Sequence, residues 1–208
     1  YQKIYLGDIA TRHSIDNTFA LRILFKKVAE SVKQPISFNR IANIVSSTGA
    51  KVGTTTVINY MEYAKDAWLI SSIHNIASKL ADKESTPKYY FNDNGILNLF
   101  LLDGQTSLLE NLVAITLLRR YGREDAVFFY NKNIEVDFYL PDSATAIQVC
   151  YSLDNSDGTY EREIGALIKL SKIIDCSRLL IITYSEERTI EVENITIEVL
   201  PIWKWLLD

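Results

Sequence analysis

Along the first third of the chain, apolar residues recur at helical spacing. Phe19, Ala20, Ile23, Leu24 and Val28 fall near one face, and Arg22, Lys26 and Lys27 lie largely outside it. With Asp16 or Asn17 as cap, the pattern predicts a helix to about Ser31. Pro35 ends that region. Ser37 then caps a second helix with Ile41, Ile44 and Val45 at its apolar positions, closed by Thr48-Gly49. Thr54, Thr55 and Thr56 offer caps for a third, which carries Val57, Ile58, Met61 and Ala64. The period changes after that. Trp68-Leu69-Ile70 and Lys88-Tyr89-Tyr90-Phe91 read as paired strands around a polar loop containing Lys79, Lys83 and Pro87. Residues 1–15, with scattered anchors Ile4, Tyr5, Leu6 and Ile9, read as a connector.

Asp93-Asn94-Gly95 opens a short apolar helix through Leu102, and Ser107 is read as the cap of a longer one bearing Leu108, Leu112, Ile115 and Leu118 and ending at Gly122. Strands at 126–130, 135–140 and 145–151 follow, then a helix at 159–174. Strands at 178–184 and 195–200 flank a polar insertion, and Pro201 opens a last helix with Trp203 and Trp205, read as a packed C-terminal cap. This order, α-β-β-β-α-β, puts a mixed sheet between helices. The expected fold class is therefore α+β / α/β in two modules: a winged helix-turn-helix over 16–92 and a mixed sheet flanked by helices over 93–208.

Charge sharpens the division. Residues 1–85 carry eleven Lys/Arg against seven Asp/Glu, net +4, and residues 86–208 carry eleven against nineteen, net −8. The first part alone suits a nucleic-acid backbone. In a winged helix the third helix normally enters a major groove, which makes Lys51, Thr54, Thr55, Thr56 and Asn59 the candidates for phosphate or base contact with duplex DNA. Winged helices also bind proteins, and Glu62 and Asp66 leave this helix only weakly basic. Apolar runs such as 179–182 fall far short of the roughly 20 residues that span a bilayer, and no signal-peptide stretch begins the chain, so it reads as cytoplasmic without a membrane partner. Cys150 and Cys176 lie in or beside apolar strands and read as reduced thiols.

Candidate chemistry lies in the second module. Glu110 sits on the helix before the sheet and Asp137 on a strand between Val136 and Phe138, followed by Ile147-Gln148-Val149-Cys150. The spacing resembles a PD-(D/E)XK restriction-endonuclease-like core, in which acids hold Mg²⁺ or Mn²⁺ through oxygen and a lysine stabilises developing charge. Gln148 stands at the last acid and Cys150 at the lysine, so catalysis is not expected. Lys132 and Lys169 are candidates for a lysine supplied from elsewhere. Gly49-Ala-Lys-Val-Gly53-Thr-Thr is not a phosphate-binding loop, because its lysine precedes the second glycine and no strand leads into it.

Five segments in order carry a wider resemblance. Residues 58–70 (INYMEYAKDAWLI), 87–95 (PKYYFNDNG), 109–113 (LENLV), 135–138 (EVDF) and 147–150 (IQVC) are similar to the C-terminal half of prokaryotic AAA-type ATPases bearing domain of unknown function 4143. The resemblance covers nearly the whole chain. It implies a preceding AAA module that binds ATP and Mg²⁺ and acts in cis, with residues 1–15 as its tail; a first residue of Tyr1 and a sole methionine at Met61 agree with a segment of something longer. Many members of that family show an acid and a lysine where this chain has Gln148 and Cys150. The expected function is DNA or partner recognition by a degenerate nuclease-like portion of an ATPase. The alternatives are a metal-dependent, resolvase-like DNA endonuclease using Glu110 and Asp137, and a protein-binding or homo-oligomerising module.

Overall fold

The computed structural model describes residues 3–122, 125–153 and 158–207. The chain packs as two units, residues 1–72 with 81–104 and residues 73–80 with 105–208.

The first unit opens on a wide π-wound helix, Lys3–Thr11, where the sequence pattern suggested only a connector. Tyr5, Ile9 and Ala10 are buried on it, so anchors four and five residues apart suit its wider turn. Helix α1 (Thr18–Glu30) is capped by Asn17, whose side chain accepts the Ala20 N–H at 3.0 Å. Helix α2 (Phe38–Ser47) is capped by Ser37. Helix α3 (Thr54–Asp66) starts after Gly53 without a side-chain cap. Their buried faces supply Leu24, Phe25, Ile41, Val45, Val57 and Met61 to the core.

The end of α3 is unusual in composition. The Trp68 N–H donates to the Lys65 carbonyl and the Leu69 N–H to the Ala64 carbonyl, both at 2.9 Å, which is a Schellman turn. Such a turn needs a left-handed residue, here Trp68 with φ +55°, where glycine is usual. Strand β1 (Ile70–Asn75), helix α4 (Leu80–Ser85) and strand β2 (Lys88–Phe91) follow, with α4 occupying the expected polar loop. Helix α5 (Asn94–Asn98) is capped by Asp93 and is shorter than its apolar pattern suggested. Residues 93–104, read from the sequence as the start of the second module, pack instead with the first unit: Leu97 is fully buried and the Phe100 ring lies 5.7 Å from that of Phe91.

The second unit begins within β1, whose His74 and Asn75 pair in parallel with Phe128 and Phe129. Helix α6 (Gln105–Tyr121) starts two residues before the expected Ser107 cap. Strands β3 (Phe128–Asn131), β4 (Glu135–Leu140) and β5 (Thr145–Val149) form an antiparallel meander. After helix α7 (Thr159–Ser171), strand β6 (Arg178–Thr183) pairs in parallel with β5. Strand β7 (Arg188–Val192) fills the expected polar insertion and pairs antiparallel with β8 (Ile195–Pro201), itself parallel to β6. Pro201 ends β8, and helix α8 (Ile202–Leu207) closes the described chain. Neighbouring strands run in the order β2-β1-β3-β4-β5-β6-β8-β7, a mixed sheet flanked by helices. Every residue of β5 is buried, as expected where both faces of a parallel pairing are covered. Among the described residues, no helix is long and apolar enough to cross a membrane.

Tyr89 is 1% exposed and its hydroxyl has no hydrogen-bond partner among the described residues, while burial, with the charges of Glu62 and Glu84 adding, pushes its phenol pKa up. A buried unpaired hydroxyl costs about 1–3 kcal/mol. Tyr89→Phe is therefore expected to be at least as stable as the parent, by up to about 2 kcal/mol in urea unfolding; a clear loss of stability contradicts this account of the core.

Candidate functional site

Strand register decides how the candidate residues meet. Phe138, Tyr139 and Leu140 pair with Ile147, Ala146 and Thr145, and continuing that register sets Gln148 across from Asp137 and Cys150 across from Glu135. Alternation then puts Asp137, Gln148 and Cys150 on one face of the sheet. Ala146, Cys150 and Tyr139 on that face belong to one core with Ile164 and Leu167 of α7.

At Asp137 the main-chain ladder gives way to side chains. The Asp137 N–H donates to Gln148 Oε1 at 2.9 Å, and Gln148 Nε2 donates to the Glu135 carbonyl at 3.1 Å. In return, Asp137 Oδ2 accepts the Val149 N–H at 2.9 Å. Gln148 itself is only 3% exposed, and its amide completes the pairing of two backbone groups at the start of β4. Its oxygen is directed at a main-chain N–H. Asn75 acts in the same way at another seam, where its side chain accepts the Asn131 N–H and donates to the Asn131 carbonyl.

Sequence reasoning missed Glu163. It is buried on α7, and Arg162 donates to its Oε1 through Nε and Nη2 at 3.0 and 2.8 Å. Burial pushes the Glu163 carboxyl pKa up, the Asp137 charge adds to this, and the Arg162 hydrogen bond offsets part of it. The signal was helical periodicity: Thr159, Glu163, Ala166 and Leu170 lie on one buried stripe. The Cys150 thiol is pushed up to about 12 by burial and then by the charges of Glu163, Glu186 and Asp137, with Arg162 opposing. It stays protonated at neutral pH and supplies neither a thiolate nor a cation. Glu186 holds the chain after β5, accepting from the Ser152 hydroxyl at 2.9 Å and the Leu153 N–H at 2.6 Å, and Arg188 bridges it at 3.1 Å.

The other expected residues are spread over several elements. Glu110 is buried on α6, and Leu117 of that helix lines a cleft of about 360 Å³ with Ile147 and Leu180. Among the described residues, no three His, Cys, Asp or Glu side chains form a metal-holding group. Lys169 is exposed on α7, and Lys132 sits in the turn between β3 and β4. The cation that acts on both Glu163 and Cys150 is Arg162. Trp205 packs beneath the Arg120 guanidinium, 4.8 Å from its ring centre, while Trp203 is largely exposed. In the first unit, Lys51, Thr55 and Asn59 are exposed, and Thr56 is half-buried on the first turn of α3. Thr54 donates its hydroxyl to Asn39 Oδ1 at 2.6 Å, tying the start of α3 to α2.

These features define a mixed α/β protein with an eight-stranded sheet flanked by helices and a strand seam sealed by side chains. The chain belongs to the family described as Domain of unknown function (DUF8612), whose model matches residues 1–107. It is similar to the uncharacterized protein MJ1544 of Methanocaldococcus jannaschii, 33% identical over 213 aligned positions that cover 98% of this chain and 48% of that protein. An uncharacterized protein of Haemophilus influenzae is 26% identical over 213 positions, covering 100% of this chain and 51% of that protein. The chain thus spans about half the length of these curated relatives. No solved structure matches it.

Two outcomes test the seam. Gln148→Ala leaves the Asp137 N–H and the Glu135 carbonyl without their side-chain partner and opens a gap at a buried position, and is expected to cost about 1–3 kcal/mol in chemical unfolding; a loss within error of zero contradicts the seam. For Glu163, a folded pKa above the unfolded value of about 4.3 gives stability that is complete below the unfolded pKa and lost as pH rises through the folded one. Thermal melts from about pH 4 to 8 should therefore show Glu163→Gln gaining on the parent as pH rises. A difference that does not change with pH counts against the burial argument.

Proposed function

We propose that this chain is a recognition portion of a larger cytoplasmic protein, with a winged helix in the first unit that contacts duplex DNA and a nuclease-like second unit that does not cleave it. The observation carrying the non-catalytic reading is the Gln148 amide closed onto the β4 backbone beside a protonated Cys150 thiol. An amide so placed offers a metal no negative charge, and a neutral thiol does not do the work of an ammonium. Three helices followed by two neighbouring strands support the winged-helix reading, as do Lys51, Thr55 and Asn59 exposed at the start of α3. The resemblance to AAA-type ATPases supports an ATP-binding module acting in cis, and the greater length of the relatives leaves room for one.

Duplex binding measured against salt tests the reading. Affinity should fall steeply as salt rises, because phosphate neutralisation releases counterions, and Lys51→Glu should weaken binding and flatten the slope by about one unit. With Mg²⁺ or Mn²⁺ added the duplex should stay intact. Cleavage that Asp137→Ala abolishes would overturn the non-catalytic part, and no binding at low salt would overturn DNA contact.

A further inference from the structure

The far end of α3 carries a residue that the fold does not favour. Trp68 occupies the left-handed position of the Schellman turn with φ +55°, where a side chain bearing a Cβ is strained. Its side chain gains little burial in return, since Trp68 is 81% exposed. The turn is held without the ring: two main-chain bonds close it, Asn92 Nδ2 donates to the Trp68 carbonyl at 3.1 Å, and the Asn92 N–H donates to the Leu69 carbonyl at 3.0 Å. Glycine would make every one of these bonds without strain. The ring therefore gains from the fold nothing that offsets the strain, and an indole with an apolar face and one N–H is suited to contact a partner.

The charge around the ring selects the partner. Glu62 and Asp66 are exposed on the last turns of α3, and the helix C-terminus adds partial negative charge there. Lys65 is the basic residue of that turn, and its ammonium bonds Glu62 at 3.0 Å, leaving the carboxylate of Asp66 beside the turn. An exposed ring two residues beyond an exposed carboxylate favours a cation, and guanidinium stacks on indole while bonding a carboxylate through its N–H groups. We infer that Trp68, with Asp66, is a docking point for an arginine of a basic segment on a protein partner. This contact does not depend on DNA binding: Lys51 and the threonines sit at the opposite end of α3, about 20 Å away at 1.5 Å per residue.

Calorimetric titration of the chain at low salt with a short Arg-Gly repeat peptide, and in parallel with an oligothymidine of similar length, tests the inference. The parent should bind the peptide. Trp68→Gly should melt at a higher temperature yet bind it about fivefold more weakly, the loss expected for one exposed cation–π contact. Trp68→Phe should keep most of the affinity, and Asp66→Asn should lose part of it. The inference fails if Trp68→Gly melts lower, which makes the ring structural, or if it binds the peptide as well as the parent does. It fails equally if the parent ignores the peptide, or if Trp68 affects binding of the oligonucleotide alone, which makes the ring a base-stacking surface.

Discussion

Where two strands part inside a protein, their N–H and carbonyl groups still need partners, and this requirement shapes the centre of the second unit. Gln148 and Asp137 meet it between β4 and β5, each lending a side chain to the other strand's backbone. Asn75 meets it between β1 and β3. An amide is suited to the task because it donates and accepts at once. The sheet thus ends its ladders on side chains, and α7 covers that face with apolar residues.

The same closure sets the electrostatics beneath α7. The charges of Glu163, Glu186 and Asp137 all raise the pKa of the Cys150 thiol, with Arg162 of α7 opposing them. Low polarity and like charge raise the pKa of the Cys150 thiol and of the Glu163 carboxyl, and the thiol is held in its neutral state. In the first unit charge is arranged along one helix. Lys51 precedes α3, while Glu62 and Asp66 occupy its last turns. A basic entrance and an acidic exit allow one helix to meet two chemically different surfaces.

Local signals were legible where local physics decides. Of the two caps expected for α1, Asp16 or Asn17, it is Asn17 that caps it, Ser37 caps α2 as expected, and β4 occupies its expected span, because capping and alternation are properties of neighbouring residues. The N-terminal π-wound helix was not legible, since its anchors fit neither an α-helix nor a strand. Strand β7 was missed because it has one buried position, Ile190, among polar neighbours at the sheet edge. The candidate site was half legible. Asp137, Gln148 and Cys150 could be picked out by spacing, but the amide seam depends on the β4–β5 register, and the burial of Glu163 on how α7 lies over it. Trp68 at a glycine's position could not be seen until the turn itself was known.

The seam also bears on how such a sequence can change over time. Codons for glutamine and glutamate differ by one nucleotide, so a carboxylate at position 148 is always one step away by mutation. In structure it is further off. A carboxylate has no proton with which to serve the Glu135 carbonyl, and it would set another negative charge among Asp137 and Glu163. The backbone around position 148 thus suits an amide better than a carboxylate, and a return to the acid would need the β4 edge to find another partner.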